Sequence, residues 1–108
     1  MTRSEQLPRY TLKFLPEALE EWKELDGSVK TYLRKALKKR LVQPHVPGSL
    51  LHGDLNHLYK IKLRKQGYRL VYSVDENVLV VLVLAVDKRE DMAAYLSAIK
   101  RLLSGNEF

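Results

Sequence analysis

Apolar residues recur along this chain with two periods, one suited to strands and one to helices. Tyr10, Leu12 and Phe14 alternate with Thr11 and Lys13, so Tyr10 to Leu15 predicts a strand. Pro16 then opens a helix, where its missing N–H costs nothing, and Glu17, Glu20 and Glu21 lie near that end, as the helix dipole favours. Leu19, Trp22 and Leu25 form its apolar stripe. Asp26-Gly27 stops it, and Ser28 is the expected cap of a second helix. In that helix Val29, Tyr32, Leu33, Ala36, Leu37 and Leu41 return at helical spacing. Arg40 breaks the stripe, with a stem long enough to lie along the core edge. Pro44 and Pro47-Gly48 end the helix.

Three strands follow closely, at about Leu58 to Arg64, Tyr68 to Val74 and Val78 to Val86, with turns at Lys65-Gln66-Gly67 and Asp75-Glu76-Asn77. The last strand is apolar on both faces, which predicts a central position with cover on both sides. Met92, Leu96, Ile99 and Leu103 predict a final helix from about Asp91 to Leu103, with Gly105 just past its end. The order β-α-α-β-β-β-α implies an α+β fold, a small antiparallel sheet with helices packed on it. A chain of 108 residues has room for one domain. The expected division is a flexible leader over 1–9, a single domain over 10–104 and a short tail over 105–108.

The hairpin carries the chemistry. On a strand, Lys60, Lys62 and Arg64 point one way and Tyr59, Ile61 and Leu63 the other. With Gln66-Gly67 as a two-residue tip, Arg64 pairs with Arg69, Lys62 with Val71, Leu63 with Leu70 and Ile61 with Tyr72. Tyr59, Ile61, Leu63, Leu70, Tyr72 and Val74 then share an apolar face, and Lys60, Lys62, Arg64 and Arg69 gather on the opposite one. A one-residue slip would drive Arg69 into the core. Like charges facing each other across strands are destabilising, so a purely structural hairpin gains nothing from this face. A phosphate-binding surface does, because cations on rigid strands can hold a phosphodiester and neutralise the charge that grows in its transition state. Crowded cations also depress the pKa of a lysine among them, which suits it to general-base work.

Charge across the whole chain supports an anionic partner. Nineteen Lys and Arg stand against thirteen Asp and Glu, a net charge of +6. Two windows, Lys30 to Arg40 and Lys60 to Arg69, hold many of these cations and no acid. That pattern favours nucleic acid over a membrane surface. Lys30, Arg34 and Lys38 lie on the outer side of the second helix, where solvated cations are common in any case. Arg89, in the loop Asp87-Lys88-Arg89-Glu90 directly after the central strand, is a candidate phosphate ligand. Tyr95, near the start of the last helix, either packs in the core or offers a platform for an unpaired base.

The chain contains no cysteine, which excludes disulfides, thiolate zinc sites and a cysteine nucleophile, and fits a reducing cytoplasm. No apolar run reaches the ~18 residues of a membrane span. His45, His52 and His57 are expected in exposed loops without metal-ligand spacing, and no phosphate-loop motif is present.

The run Tyr59-Lys60-Ile61-Lys62-Leu63-Arg64-x-x-Gly67-Tyr68-Arg69-Leu70-Val71-Tyr72, followed by Lys88-Arg89-Glu90 and Tyr95, resembles the RelE family of bacterial toxins. Ala18-Leu19-x-x-Trp22-x-x-Leu25 resembles the opening helix of that family, and the likeness extends from about Tyr10 to Leu103. It implies a microbial-ribonuclease-like fold and an mRNA interferase of a type II toxin–antitoxin system. Such an enzyme enters the ribosomal A site and cuts the codon there by attack of the 2′-hydroxyl on the adjacent phosphate, with no metal or other cofactor. Carried over by position, Lys60 and Lys62 would deprotonate the 2′-hydroxyl or stabilise its charge. Arg69 would hold the scissile phosphate, Arg89 would stabilise the transition state, and Tyr95 would stack on a codon base. Arg64, Lys65, Lys30, Arg34 and Lys38 would contact RNA or the ribosome. His52 stands where some relatives have arginine, so either it takes over a phosphate or base contact or that role is absent; Asp87 stands where they often have glycine. The resemblance further implies a cytoplasmic protein, monomeric when free, neutralised by a RelB-like antitoxin and brought to operator DNA only through it. A gyrase poison of the ParE type and a non-catalytic RNA- or partner-binding module are the competing readings.

Overall fold

The computed structural model describes residues 8–51, 57–88 and 93–103. Its elements are β1 (Thr11–Phe14), α1 (Pro16–Lys23), α2 (Gly27–Val42), a short 3-10 turn (Pro47–Ser49), β2 (Leu58–Leu63), β3 (Tyr68–Asp75), β4 (Val80–Lys88) and α3 (Ala93–Leu103). Pro16 begins α1 as expected. Asp26 rather than Ser28 holds the cap position of α2, and the Ser28 hydroxyl donates to the Asp26 carboxylate at 2.9 Å.

The strands lie in the order β1-β4-β3-β2. β4 is interior, as its two-sided apolar sequence requires, and Val81 through Val86 are buried. β3 is antiparallel to both β2 and β4, while β1 joins β4 in parallel, Thr11 beside Val80 and Phe14 beside Val83. The sheet is therefore mixed at one edge rather than antiparallel throughout. The crossover through α1 and α2 brings the chain back so that β2 runs in the direction of β1, and two reversals return β4 to that same direction.

One face of the sheet carries Phe14, Tyr59, Ile61, Leu70, Tyr72, Val81 and Val83, and α1 and α2 cover it. Trp22 of α1 meets Phe14 edge-to-face at 5.4 Å between ring centres. Arg40 of α2 ties that helix to the sheet. Its Nη1 donates to the Tyr72 hydroxyl at 2.7 Å and to the Lys60 carbonyl at 3.4 Å, and its Nη2 donates to Ser49 Oγ at 3.1 Å. The Tyr72 hydroxyl donates in turn to the Pro44 carbonyl at 2.7 Å. The break in the apolar stripe of α2 is thus a half-buried tether. At the chain's entry, Arg9 and Tyr10 N–H groups both donate to the Leu41 carbonyl at 3.1 Å.

The opposite face carries Lys60, Lys62, Arg69, Val71, Leu82, Ala85 and Asp87, and α3 packs there on β4 and β3. The helix is rotated from the expected stripe. Ala94, Tyr95 and Ala98 are buried, whereas Leu96 is 59% exposed. Two alanine methyls let the helix approach β4 closely, which larger side chains on that side would prevent. Met92 and Gly105 lie outside the described residues, as do 1–7 and the tail over 105–108.

Candidate functional site

The hairpin turns through four residues rather than two. Leu63 faces Tyr68, Lys62 faces Arg69, Ile61 faces Leu70, Lys60 faces Val71 and Tyr59 faces Tyr72. Gly67 takes a positive φ of 75°, and its N–H donates to the Leu63 carbonyl at 2.8 Å, closing the turn. The pairing of Arg64 with Arg69 expected from the sequence is therefore not made, and Arg64 and Lys65 stand exposed in the turn. The shift is two residues, so the faces are preserved, and Lys60, Lys62 and Arg69 do share one side.

Across that side runs the row Lys62, Arg69, Asp87, one residue from each of β2, β3 and β4. Lys60 lies one rung along, beside Val71 and Ala85. The Asp87 carboxylate accepts the Lys88 N–H at 2.7 Å. Tyr95 of α3 roofs the row, and the Arg69 guanidinium carbon lies 4.9 Å from its ring centre. Tyr95 is 6% exposed, and burial raises its phenol pKa while Arg69 acts to lower it. Arg69 Nε is buried and, among the described residues, has no hydrogen-bond partner. A buried cationic donor without an acceptor costs on the order of 1–3 kcal/mol, so the fold holds Arg69 here against its own preference for water. An oxyanion reaching Arg69 would relieve that cost.

The structure thus brings together Lys60, Lys62, Arg69 and Tyr95, with Arg64, Lys65 and Lys88 at the nearby turn and strand end. It does not bring Lys30, Arg34 and Lys38 to them. Those residues lie on α2, across the sheet, where Arg34 stacks on the Trp22 ring at 5.8 Å and Arg34 and Lys38 edge an apolar groove lined by Leu12, Phe14 and Leu41. Arg89 and His52 lie outside the described residues. Among the described residues no group of His, Asp and Glu is arranged to hold a metal ion.

His57 is exposed, as expected. His45 is exposed too, but it is not an idle loop residue. Its Nε2 meets the Glu76 carboxylate and its Nδ1 lies 2.8 Å from the Tyr59 hydroxyl. The Tyr10 hydroxyl also donates to Glu76, at 2.9 and 3.0 Å. These hydrogen bonds lower the Glu76 pKa, that of His45 most strongly. The cluster ties four chain segments together on the far face from Arg69. Sequence spacing carried no sign of it, since Tyr10, His45, Tyr59 and Glu76 share no local pattern.

Comparison with known proteins agrees with this fold. A family model described as the ParE toxin of the type II toxin–antitoxin system parDE matches residues 12–93. The chain is 44% identical over 94 residues to an mRNA interferase toxin RelE of Escherichia coli strain K12, covering 87% of this chain and 98% of that one. A putative RelE-like toxin protein of Escherichia coli matches to the same extent. Among solved structures, an arginine-to-alanine double mutant of E. coli RelE in the free state superposes with a TM-score of 0.78 at 42% identity, covering 86% of this chain and 97% of that one. The toxin in the intact E. coli RelBE toxin–antitoxin complex matches with a TM-score of 0.71 at 43% identity, over 75% of this chain and 98% of that one.

Proposed function

Since the chain belongs to the RelE family of type II toxins, we propose that it is an endoribonuclease that cuts mRNA in the ribosomal A site. The observation that carries this is the Lys62–Arg69 rung, beside Lys60 and under Tyr95, with the Arg69 Nε buried and lacking an acceptor. Cleavage needs charge neutralisation at a phosphate and a proton acceptor for the neighbouring 2′-hydroxyl. Because the nucleophile lies in the RNA, the protein has only to orient, deprotonate and stabilise.

In this reading Arg69 leaves the Tyr95 ring and takes the scissile phosphate, exchanging a ring face for an oxyanion. The exchange also uncovers Tyr95, whose freed face then receives a codon base. That order reconciles base stacking with a ring that is buried in the free protein. Lys60 and Lys62 accept the 2′-proton or hold the developing charge, and Arg89 stabilises the transition state and the leaving 5′-oxygen. Arg64 and Lys65, in the turn of the same hairpin, would reach flanking RNA, as would His52, and Lys30, Arg34 and Lys38 would meet ribosomal RNA from across the sheet. Asp87, directly beside Arg69, competes with phosphate for that guanidinium and tempers the site. No metal or other cofactor takes part.

The solved E. coli RelBE complex supports a RelB-like antitoxin as the protein partner. Its acidic surface would cover the cation row and carry the pair to operator DNA, while free toxin would be monomeric. Among the described residues no helix is long and apolar enough to cross a membrane, which accords with action on ribosomes in the cytoplasm.

The test is cleavage on programmed ribosomes with a filled P site and an empty A site, mapped by primer extension beside naked mRNA. A cut within the A-site codon, with little on naked RNA, is the expected result. Equal cutting of both would mean a free ribonuclease. No cut on either, with gyrase-dependent DNA breaks instead, would move the assignment to the ParE type.

A further inference from the structure

β1 stops at Phe14, beside Val83, whereas β4 continues to Lys88. Among the described residues no strand lies next to the β1-side edge of β4 past Val83. The register also shifts here, with Val71 facing Ala85 and Tyr72 facing Val83, so Leu84 is bulged. Two side chains from different helices complete this broken edge. Glu21 of α1 accepts the Val86 N–H through Oε1 at 3.0 Å. Arg101 of α3 donates from Nη1 to the Leu84 carbonyl at 2.7 Å. The two then close on each other, Arg101 Nη1 to Glu21 Oε1 at 3.0 Å and Nη2 to Oε2 at 2.8 Å. Their side chains are 15% exposed for Arg101 and 26% for Glu21.

A forked pair of this kind fixes direction as well as distance, because both planar groups must lie in register. Apolar packing under α3 is weak in that respect, since two of its buried residues, Ala94 and Ala98, offer only methyl groups. Arg101 is six residues beyond Tyr95, about 9 Å along the axis at 1.5 Å per residue. Rotation or sliding of α3 at the Arg101 end would therefore carry the Tyr95 ring off Arg69.

We propose that Glu21 and Arg101 are positioning residues, whose forked pair sets the rotation and axial placement of α3 and thereby places Tyr95 over Arg69 in the free protein and keeps its face where a codon base stacks once Arg69 has moved to the phosphate. Neither touches RNA, and the proposal rests on the ribonuclease reading of the site only for its effect on cleavage. Bidentate geometry is the active ingredient, so a single charge in the same place is not enough. Glu21→Gln keeps an acceptor for Val86 N–H but loses the charge and one acceptor for Arg101. Arg101→Lys keeps the charge but not the fork.

The test pairs cleavage kinetics with NMR of the free protein. In the wild type the Tyr95 ring current shifts the Arg69 side-chain protons upfield. In Glu21→Gln and Arg101→Ala that shift should shrink by at least half. On programmed ribosomes kcat should fall tenfold or more while KM stays within about threefold, and Arg101→Lys should restore only part of kcat. Folded variants that keep the Arg69 ring-current shift would overturn the proposal, as would full kcat in Arg101→Ala. Loss of kcat with the shift intact would overturn it as well. If Arg101→Ala fails to fold, Glu21→Gln and Arg101→Lys carry both readouts. If wild-type protein cuts no RNA, the ribonuclease reading falls, while the NMR shift still decides whether the pair places Tyr95.

Discussion

Replacing Arg69 by methionine should separate activity from stability, and the structure supplies the terms. Arg69 faces Lys62 directly across the strand pair, and a like-charge pair in that position costs a few tenths to about 1 kcal/mol. Its Nε is buried without an acceptor, a further cost on the order of 1–3 kcal/mol. Against this stands the contact with the Tyr95 ring at 4.9 Å, worth about 1–2 kcal/mol in a partly desolvated setting. Methionine fills similar space and replaces the cation–ring contact with a sulfur–ring contact of about 0.3–1.5 kcal/mol. The net expectation is a variant as stable as wild type or more stable by about 1 kcal/mol, equivalent to a Tm rise of roughly 4 °C. Cleavage on programmed ribosomes should fall about 100-fold or more, as when a preorganised oxyanion ligand is removed. Urea unfolding followed by fluorescence of Trp22, the one tryptophan, measures the first quantity, and primer extension measures the second. A loss of more than about 1 kcal/mol would refute the reasoning by showing that Arg69 supports the fold. A folded variant that still cuts would refute its place at the phosphate.

Three other outcomes can be checked with similar means. Tyr72→Phe removes the hydroxyl that accepts from Arg40 and donates to Pro44; it should cost about 1–3 kcal/mol in urea unfolding by stranding both partners, and a neutral result would mean water replaces it. Hydrogen bonds from His45 and Tyr10 hold the Glu76 pKa below its unfolded value, so the stability it gives is present above the ordinary glutamate pKa of about 4.3 and is lost as pH falls through the folded value. Tm curves of wild type and Glu76→Gln should therefore converge on acidification, and parallel curves would contradict the assignment. Asp87→Asn removes the acid on the residue paired with Arg69 across β3 and β4 and should raise cleavage several-fold at equal ribosome concentration; unchanged or lower activity would show that Asp87 does not compete with phosphate.

Period-two patterning made the hairpin faces and the interior place of β4 readable, because alternation places each side chain on one face or the other. Pairing register was not readable to the same depth. A slip of two residues moves no side chain to the other face, so the pattern accepts either turn, and Gly67 with its positive φ decides between them. α3 misled for a different reason. Leu96 and Ile99 outweigh Ala94 and Ala98 in hydrophobicity, yet closeness to β4 selects small residues, a property of the neighbour rather than of the helix. The parallel placement of β1 depends on the path of a whole crossover, and the Glu21–Arg101 pair joins residues 80 apart in sequence; neither leaves a local trace. The cation face is more legible than the packing around it, because Lys60, Lys62 and Arg69 fall within one hairpin; Tyr95 reads equally as stacking platform or core residue, and in the structure it is buried against Arg69.

The placement of Lys30, Arg34 and Lys38 across the sheet from Arg69 gives the molecule the electrostatics of a wedge. Its shortest extent is 25 Å, and positive charge stands on both faces of the sheet. A lone RNA strand satisfies one side and leaves the other paired only with salt. A slot with phosphate on both walls releases counterions from both sides at once, so its affinity must fall more steeply with added salt than that of free RNA. Rising ionic strength would then erode slot binding faster than strand binding, and the preference for a crevice over an open chain would be greatest in dilute salt.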